Sequence, residues 1–369
     1  MWHFYPEHYM FSYQVVRILG QCHFGGGEIN EVLETASRIP AGDFTRFHKE
    51  WFHTAQRALS EANQASDRGD METARAAYLR ASNYFRTAEF FLQPDDPKKI
   101  DVYLMGVEAF RKGISMLNHP PQAVNIPYEN SFLPGYFFPV AEQEKSPLVI
   151  MFGGLDSTAE ELYFGPAQLL NERGIALLAV DGPGQGAALR LNHIVTRYDY
   201  NVAATAAYEW ATAQLDIDPQ RVAIMAVSMG GYMAARSAAF EPRFKACAIW
   251  GAVFDYYSVW ASRPDNHPLA RILQHVVGAE NMVEAREKLK DFTLQGVADK
   301  IKMPTYIIHG EDDRQVPVEH AYQVYNALTC PRVLNIVPRH STGSAHCQAD
   351  NMTKTYPMYD WLKAQLVES

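Results

Sequence analysis

The sequence predicts an α/β fold in which a doubly wound, mostly parallel sheet follows an N-terminal all-helical domain. Three observations predict it. Apolar runs of strand length alternate with helix-like segments from about residue 147 to the end, which is typical of sheets built from right-handed crossovers. Apolar residues recur at helical spacing through residues 1 to about 120, without such alternation. The chain of 369 residues is long enough for both parts.

The N-terminal domain is predicted to contain amphipathic helices. Two are expected between Asp43 and Leu92, separated at residues 67–70, where the sequence reads DRGD. A third is expected over residues 102–117. We place the boundary near residues 118–121, which gives a helical cap or lid at 1–120 and a catalytic domain at 121–369.

The catalytic domain is predicted to begin with a hairpin that turns at Glu129-Asn130-Ser131. Pro147–Phe152 and Ile175–Val180 are continuous apolar runs, as in buried parallel strands, and a helix-like stretch at 158–174 separates them. Helices and a helical insertion at about 254–300, expected to lie over the site, separate the remaining strands. Those strands are expected at 221–227, 244–251, 304–310 and 332–338.

Composition argues against several classes of protein. The formal charge of −9 and the lack of Lys/Arg runs disfavour a nucleic-acid partner, and no apolar run has the length of a membrane span. The N-terminus lacks the basic segment of a signal peptide. The cysteines show neither metal-ligand nor disulfide spacing, so we expect a reduced, cytoplasmic protein without a metal or organic cofactor. They are Cys22, Cys247, Cys330 and Cys347.

A serine joins an apolar strand to a helix in the segment RVAIMAVSMGG, residues 221–231. Ala226, Ser228 and Gly230 occupy the fixed places of the G-x-S-x-G nucleophile elbow, a turn that exposes the serine hydroxyl at the sheet edge. Ala226 replaces the first glycine, at a position that needs a small side chain. The helix N-terminus lets the Met229 N–H hold an oxyanion. The alternative is a serine that only caps the helix.

A hydrolytic serine needs a base and a group that orients the base, and after such an elbow the acid precedes the histidine. The strand PTYIIHG continues into GEDDRQVP, which places Asp313 at the carboxyl end of the strand, where ligands gather in open sheets. Asp312 is the alternative acid. Asp313 has an alternative role, which is to cap a helix starting near Val316.

The base is expected in the loop RHSTGSAHCQADN, which offers His340 and His346. We favour His346 because it lies close to the start of the last helix. His340 follows the preceding strand so closely that its side chain is not expected to reach Ser228, and it remains the alternative base.

A second oxyanion donor is expected from the loop GGLDSTAEE. Gly153 and Gly154 let the backbone turn its amides toward the serine, and the Leu155 N–H is the expected donor. Asp156 is unusual there because a carboxylate opposes a developing negative charge. We interpret it either as a helix cap or as a polar or proton-handling group that faces the substrate. The later loop DGPGQG, residues 181–186, lacks the phosphate-binding patterns and is interpreted as a structural turn at the cavity wall.

These motifs in combination resemble a known family. The runs GGLDSTAEE, DGPGQG, VSMGGYMAARSAAFEPRFKACAIWG and PTYIIHGEDDRQVP are similar to those of the α/β-hydrolases with an N-terminal helical cap. That family includes 2,6-dihydroxypseudooxynicotine hydrolase and the polyketide-shortening hydrolases of fungal pigment and bacterial anthraquinone pathways. The resemblance covers nearly the whole chain from about Asp43 and is firmest from Pro147 onward.

The resemblance implies hydrolysis of a carbon–carbon bond next to a carbonyl, a retro-Claisen cleavage, and a homodimer. The matching catalytic positions are Ser228, Asp313 and His346, and an acidic residue of the nicotine-degrading enzyme matches Asp156. The chain departs from the family at Ala226 and in a longer loop before the histidine, which keeps the alternative base open.

The leading hypothesis is therefore a serine hydrolase that cleaves a β-diketone or polyketide-like, aromatic small molecule. The alternative is an esterase, thioesterase or acyltransferase that acts on an ester, a lactone or a carrier-bound acyl chain. A non-catalytic binding protein is a minor third hypothesis.

Overall fold

The computed structural model describes residues 1–141 and 143–368. It divides into two compact units, Met1–Pro121 and Gln122–Ser369, beside the boundary that we placed from the sequence. The lid role of the first unit stays a prediction. None of the described helices is long and apolar enough to cross a membrane.

The first unit is helical throughout the structure described. Gly69 ends its longest helix with a left-handed backbone (φ 82°), which is why the chain turns within the expected break at 67–70. The helices are α1 (Tyr9–Cys22), α2 (Ile29–Ser37), α3 (Phe44–Arg68), α4 (Met71–Phe90) and α5 (Lys98–Ser115).

Aromatic rings form part of the core of the first unit. Phe11 packs against Phe47 and Phe91, with ring centroids 4.7 Å and 5.4 Å away. A buried ion pair joins α4 to α5, because Lys99 Nζ lies 2.7 Å from Glu89 Oε1. Each side chain is 3% exposed, so each charge depends on the other for compensation.

The second unit is built on one eight-stranded sheet with the order β1-β2-β4-β3-β5-β6-β7-β8. The first two strands form the expected hairpin; β2 is antiparallel to β4, and the other pairs are parallel. The strands are β1 (Gln122–Tyr128), β2 (Ser131–Phe138), β3 (Ser146–Phe152), β4 (Ala176–Val180), β5 (Ile217–Val227), β6 (Ala246–Trp250), β7 (Thr305–Gly310) and β8 (Arg332–Val337).

The helices of the second unit connect these strands, and α10 to α12 form the expected insertion. The helix-like stretch at 158–174 is not one helix. Gly165, with φ 115°, and Pro166 interrupt it, which leaves a 3-10 turn at Ala159–Tyr163 before α6. The helices are α6 (Pro166–Asn171), α7 (Gly186–Arg190), α8 (Asn201–Gln214), α9 (Gly230–Phe240), α10 (Tyr256–Ala261), α11 (Ala270–Val277), α12 (Met282–Leu289), α13 (Glu319–Ala327) and α14 (Tyr356–Leu366).

Strand register brings the chemistry-bearing loops to one edge of the sheet. Phe152, the last residue of β3, pairs with Ala226 near the end of β5, and Val227 pairs with Trp250 at the end of β6. Trp250 in turn pairs with Ile308 of β7. Since parallel strands end on the same side, the loops after β3, β5, β6 and β7 meet there.

Candidate active site

Ser228 lies in a strained turn between β5 and α9. Its φ of 64° is left-handed, a conformation that costs a non-glycine residue energy and clusters at functional sites. Its N–H donates to the Trp250 carbonyl at 2.8 Å, which fixes the turn. The side chain does not cap α9. A Cβ at Gly230 would overlap the Gly153 carbonyl, so the last place of the elbow requires glycine.

The structure brings together the serine, histidine and aspartate that the sequence singled out. His346 Nε2 lies 2.8 Å from Ser228 Oγ, and His346 Nδ1 lies 2.6 Å from Asp313 Oδ2. The imidazole and the carboxylate are both buried. This geometry lets the imidazole take the serine proton while the carboxylate fixes its tautomer.

Asp313 contacts the histidine and does not cap a helix, because α13 begins at Glu319 rather than near Val316 and has no side-chain cap. Its Oδ1 accepts hydrogen bonds from the backbone N–H groups of Gln315 and Val316, at 2.8 Å and 2.9 Å, while Oδ2 holds the histidine. Burial opposes ionisation of Asp313, but the adjacent His346 and these N–H groups keep its pKa below the usual value. The acid is therefore an anion held in one orientation.

The two alternative residues lie elsewhere. His340 is exposed to solvent, whereas His346 reaches Ser228. Asp312 is turned toward Arg339, with 3.8 Å between its Oδ1 and the guanidinium. The geometry thus favours His346 and Asp313 as base and acid.

His346 is followed by two residues with left-handed backbones, Cys347 (φ 50°) and Gln348 (φ 49°). Cys347 Sγ lies 3.5 Å from His346 Nε2, on the nitrogen that also faces the serine. Gln348 Oε1 accepts a hydrogen bond from Trp250 Nε1 at 2.8 Å, which ties this loop to the end of β6. In the sequence, Cys347 was considered only for metal-ligand or disulfide spacing, and such spacing cannot reveal its contact with His346.

A second buried histidine, His309, lies beside Asp313. His309 Nδ1 accepts the Ala252 N–H at 3.0 Å, so its proton lies on Nε2, which faces the Val316 carbonyl at 2.9 Å and Asp313 Oδ2 at 3.4 Å. Burial lowers the pKa of His309 and keeps it neutral. His309 lies inside the predicted strand PTYIIHG, and no motif in the sequence singled it out.

The loop after β3 approaches the serine closely. A Cβ at Gly154 would lie 2.8 Å from Ser228 Cβ, so a side chain there would displace Ser228. Gly154 N–H donates to Ser157 Oγ at 2.8 Å, which closes the loop on itself. In the described part of the chain, neither the Leu155 nor the Met229 N–H has a hydrogen-bond acceptor. Both amides are available for an oxyanion.

Asp156 is paired with an arginine and does not cap a helix. Its Oδ1 lies 2.7 Å from Arg190 Nη2, and the two side chains are 3% and 1% exposed. Its backbone is left-handed, with φ 55°. Asp156 Oδ2 is buried without a hydrogen-bond partner among the described residues. No spacing between residues 156 and 190 indicates from the sequence that this aspartate pairs with Arg190.

The loop DGPGQG, residues 181–186, forms hydrogen bonds with the loop after β3. Gln185 Nε2 donates to the carbonyls of Gly153 and Gly154, at 2.8 Å and 3.2 Å, and so holds the loop after β3. Asp181 accepts the N–H groups of Ala159 and Ala187 at 2.7 Å and 2.8 Å. Burial raises the pKa of Asp181, and its neighbour Glu160 raises it further.

The triad geometry predicts a pH profile. Burial favours a neutral His346, but the carboxylate of Asp313 outweighs burial and raises the pKa of the imidazole. Activity should fall as the pH drops through that pKa, because only the neutral imidazole accepts the serine proton. In Asp313→Asn this acidic limb should move to lower pH and the maximal kcat should fall about 10⁴-fold. Because the pKa of His346 is raised to about 10, the rate of hydrolysis between pH 5 and 11 measures both effects.

Asp312→Asn is the matched control for that prediction, since it removes the neighbouring carboxylate and leaves the contact between Asp313 and His346 intact. It should keep the profile of the unaltered protein. An Asp313→Asn profile with an unmoved acidic limb would contradict the assignment of the acid.

Sheet topology, elbow and Ser–His–Asp geometry together define the class of an α/β-hydrolase. The chain belongs to the prolyl oligopeptidase family (peptidase S9), whose family model matches residues 163–369. Among the described residues, no group of three or more His, Cys, Asp or Glu side chains could hold a metal ion.

Individual relatives agree with this class. Hydrolase acrC of Aspergillus aculeatus is 34% identical, over 89% of this chain and 88% of its own. The 20-hydroxy-prefusarin hydrolase FUS2 of Gibberella moniliformis is 37% identical, over 69% of this chain and 63% of its own. The crystal structure of 2,6-dihydroxy-pseudo-oxynicotine hydrolase superposes with a TM-score of 0.81 and 26% identity, covering 95% of this chain and 96% of that one. The resemblance inferred from the sequence is thereby confirmed.

Proposed function

We propose that this hydrolase cleaves a carbon–carbon bond next to a carbonyl group in a β-diketone or polyketide-like, aromatic small molecule. The observation that carries the proposal is the hydrogen-bonded series Ser228 Oγ, His346 and Asp313 at a nucleophile elbow. The choice of bond is supported by the similarity to 2,6-dihydroxy-pseudo-oxynicotine hydrolase over nearly the whole chain. The relative FUS2 is named as a hydrolase of 20-hydroxy-prefusarin, which supports a small-molecule substrate.

The first step is attack on a ketone carbonyl. His346 Nε2 takes the proton of Ser228 Oγ, the oxygen bonds to the carbonyl carbon, and the carbonyl oxygen becomes an oxyanion. The amides of Leu155 and Met229 donate to that oxyanion, which is the largest single contribution expected in such a site. Asp313 stabilises the imidazolium that forms.

The second step breaks the carbon–carbon bond. The electron pair leaves on carbon and is delocalised as an enolate by the second carbonyl, and His346 returns the proton to it. Water, deprotonated by the same imidazole, then releases the acyl group from Ser228 as a carboxylic acid. A carbanion leaves less readily than an alkoxide, so the substrate must be able to delocalise it.

Asp156 is proposed as an auxiliary substrate residue. Its buried Oδ2 is open to a donor, whereas Oδ1 is held by Arg190. A hydroxyl group of the substrate would satisfy this oxygen, because a buried acceptor without a partner is costly. Gly154 leaves the space in which the reacting carbonyl approaches Ser228.

The same machinery also supports hydrolysis of an ester, a lactone or a carrier-bound thioester, or transfer of the acyl group to an alcohol. The specific observation is the match to a family named for peptidases, which cleave acyl bonds to a heteroatom. Both candidates form the same acyl-enzyme and differ only in the group that leaves. A small molecule or a carrier-bound chain as the partner, and a homodimer, remain proposals from the resemblance.

Two substrates that share one acyl group separate the candidates. An aromatic β-diketone and the matching ester give the same acyl-Ser228, so any difference between them arises before the acyl-enzyme forms, in binding, attack or departure of the leaving group. We expect kcat/KM for the diketone to equal or exceed that for the ester. Turnover of the ester with an untouched diketone would favour the esterase alternative.

A further inference from the structure

The buried pair Asp156–Arg190 lies beside the expected oxyanion hole. Asp156 follows Leu155, whose amide is the expected donor, and Gly154 is in close approach to Ser228. The Oδ1 atom of Asp156 lies 2.7 Å from the Nη2 atom of Arg190, which is the last residue of α7. This carboxylate is therefore built into the segment that should stabilise a negative charge.

A buried carboxylate in that place has an electrostatic cost. Like charges a few ångströms apart repel strongly where water is excluded, so an uncompensated Asp156 would oppose the developing oxyanion. Arg190 is also buried and supplies the opposite charge. Among the described residues, the buried acid Asp181 interacts electrostatically with both Arg190 and Glu160, and Glu160 accepts a hydrogen bond from Tyr136 at 2.9 Å.

Arg190 is connected to the same loop through the backbone that precedes it. Gly186, the first residue of α7, donates its N–H to the Ser157 carbonyl at 2.8 Å, and Gln185 holds Gly153 and Gly154. The segment 181–190 thus contacts both ends of the loop after β3.

We propose that Arg190 is a positioning residue that balances the charge of Asp156 and so permits the Leu155 and Met229 amides to stabilise the oxyanion formed at Ser228. The inference rests on the proposed serine chemistry and holds for any acyl substrate. Arg190 acts through Asp156 and touches no reacting atom.

Removal of the arginine charge has a consequence that depends on pH. Burial disfavours the charged form of an unpaired carboxyl group. In Arg190→Met, Asp156 should therefore be neutral at low pH, where it does not repel the negative charge of the oxyanion. As the pH rises Asp156 ionises, and its uncompensated charge should slow the reaction. The variant should acquire a descending alkaline limb that the unaltered protein lacks.

The test follows phosphonylation of Ser228 by a fluorophosphonate between pH 6 and 9.5. In this reaction the Ser228 Oγ–phosphorus bond forms, fluoride leaves with the phosphorus–fluorine electrons, and His346 takes the serine proton. The reaction builds negative charge on the phosphoryl oxygen without needing the natural substrate. We expect the rate of Arg190→Met at high pH to be on the order of 10²-fold below that of the unaltered protein.

The double variant identifies the group responsible. Asp156→Asn/Arg190→Met should lose the alkaline limb and react faster at high pH than Arg190→Met alone. A limb that persists in the double variant, or a uniform loss of rate at every pH, would overturn the proposal, because the effect would then belong to Asp181, Glu160 or general disruption.

Two further variants control for folding. Arg190→Gln removes the charge but keeps a donor for Asp156, and it replaces Arg190→Met in the same comparison if that protein does not fold. Lys99→Met removes the cation of the other buried pair, in the first unit, and should lower thermal stability without changing the pH profile. If the unaltered protein is not labelled at Ser228, the proposed function itself fails, which is a distinct result.

Discussion

Ser228→Ala should abolish hydrolysis, with kcat lower by about 10⁴- to 10⁶-fold. The reason is covalent: the variant retains the oxyanion amides and the His346–Asp313 pair but has no oxygen to form the acyl-enzyme. Steady-state turnover measures the loss, and intact-protein mass spectrometry after fluorophosphonate treatment measures the missing adduct.

Ser258→Ala is the matched control, because this exposed serine only bonds the Asp255 carbonyl at the start of α10. It should keep both turnover and labelling. If Ser228→Ala kept the biological activity of the protein, the minor hypothesis of a non-catalytic binding protein would replace the enzyme.

His346→Ala should cost almost as much, about 10⁴- to 10⁶-fold in kcat, because the serine then has no base within hydrogen-bond distance. The effects of the serine and histidine replacements should not add, since the two residues act as one unit. Turnover of the single and double variants measures this directly.

The loop that contains His346 also contains His340, which supplies the control for the His346→Ala prediction. His340→Ala alters an exposed histidine and should leave kcat unchanged. A large loss in His340→Ala together with an active His346→Ala would reverse the assignment and would require the loop to rearrange in solution.

Most of the fold could be predicted from the sequence, because the hydrophobic patterns that indicate helices and strands are local. Apolar runs such as Pro147–Phe152 have no polar face, which is typical of buried strands, and the change of period near residue 121 lies beside the start of the second unit. The stretch at 158–174 was less predictable, because Gly165 and Pro166 interrupt a pattern that otherwise has helical spacing.

That Ser228, Asp313 and His346 lie together was predictable for a different reason. Topology fixes the strand ends after which the acid and the base must come, so only Asp312 or Asp313 and His340 or His346 had to be weighed. The structure adds that His346 and Asp313 make the contacts.

The supporting groups around the triad were not predictable. Arg190, Gln185 and Cys347 reach the site through contacts between separate loops, and no periodicity or motif connects them to it. His309 looked like part of a buried strand, and its role emerges only from the tautomer that the Ala252 amide imposes. Such residues become visible only once the loops are placed.

Product analysis in ¹⁸O water distinguishes carbon–carbon cleavage from ester hydrolysis. The protein is mixed with an aromatic β-diketone and with the matching ester, and the products are followed by mass spectrometry, with Ser228→Ala as the control. We expect the unaltered protein to cleave the diketone into a ketone and an acid that carries the label, and we expect no cleavage by the variant. Intact diketone beside hydrolysed ester would contradict the proposed carbon–carbon cleavage, and cleavage of the diketone by Ser228→Ala would contradict the role of the serine.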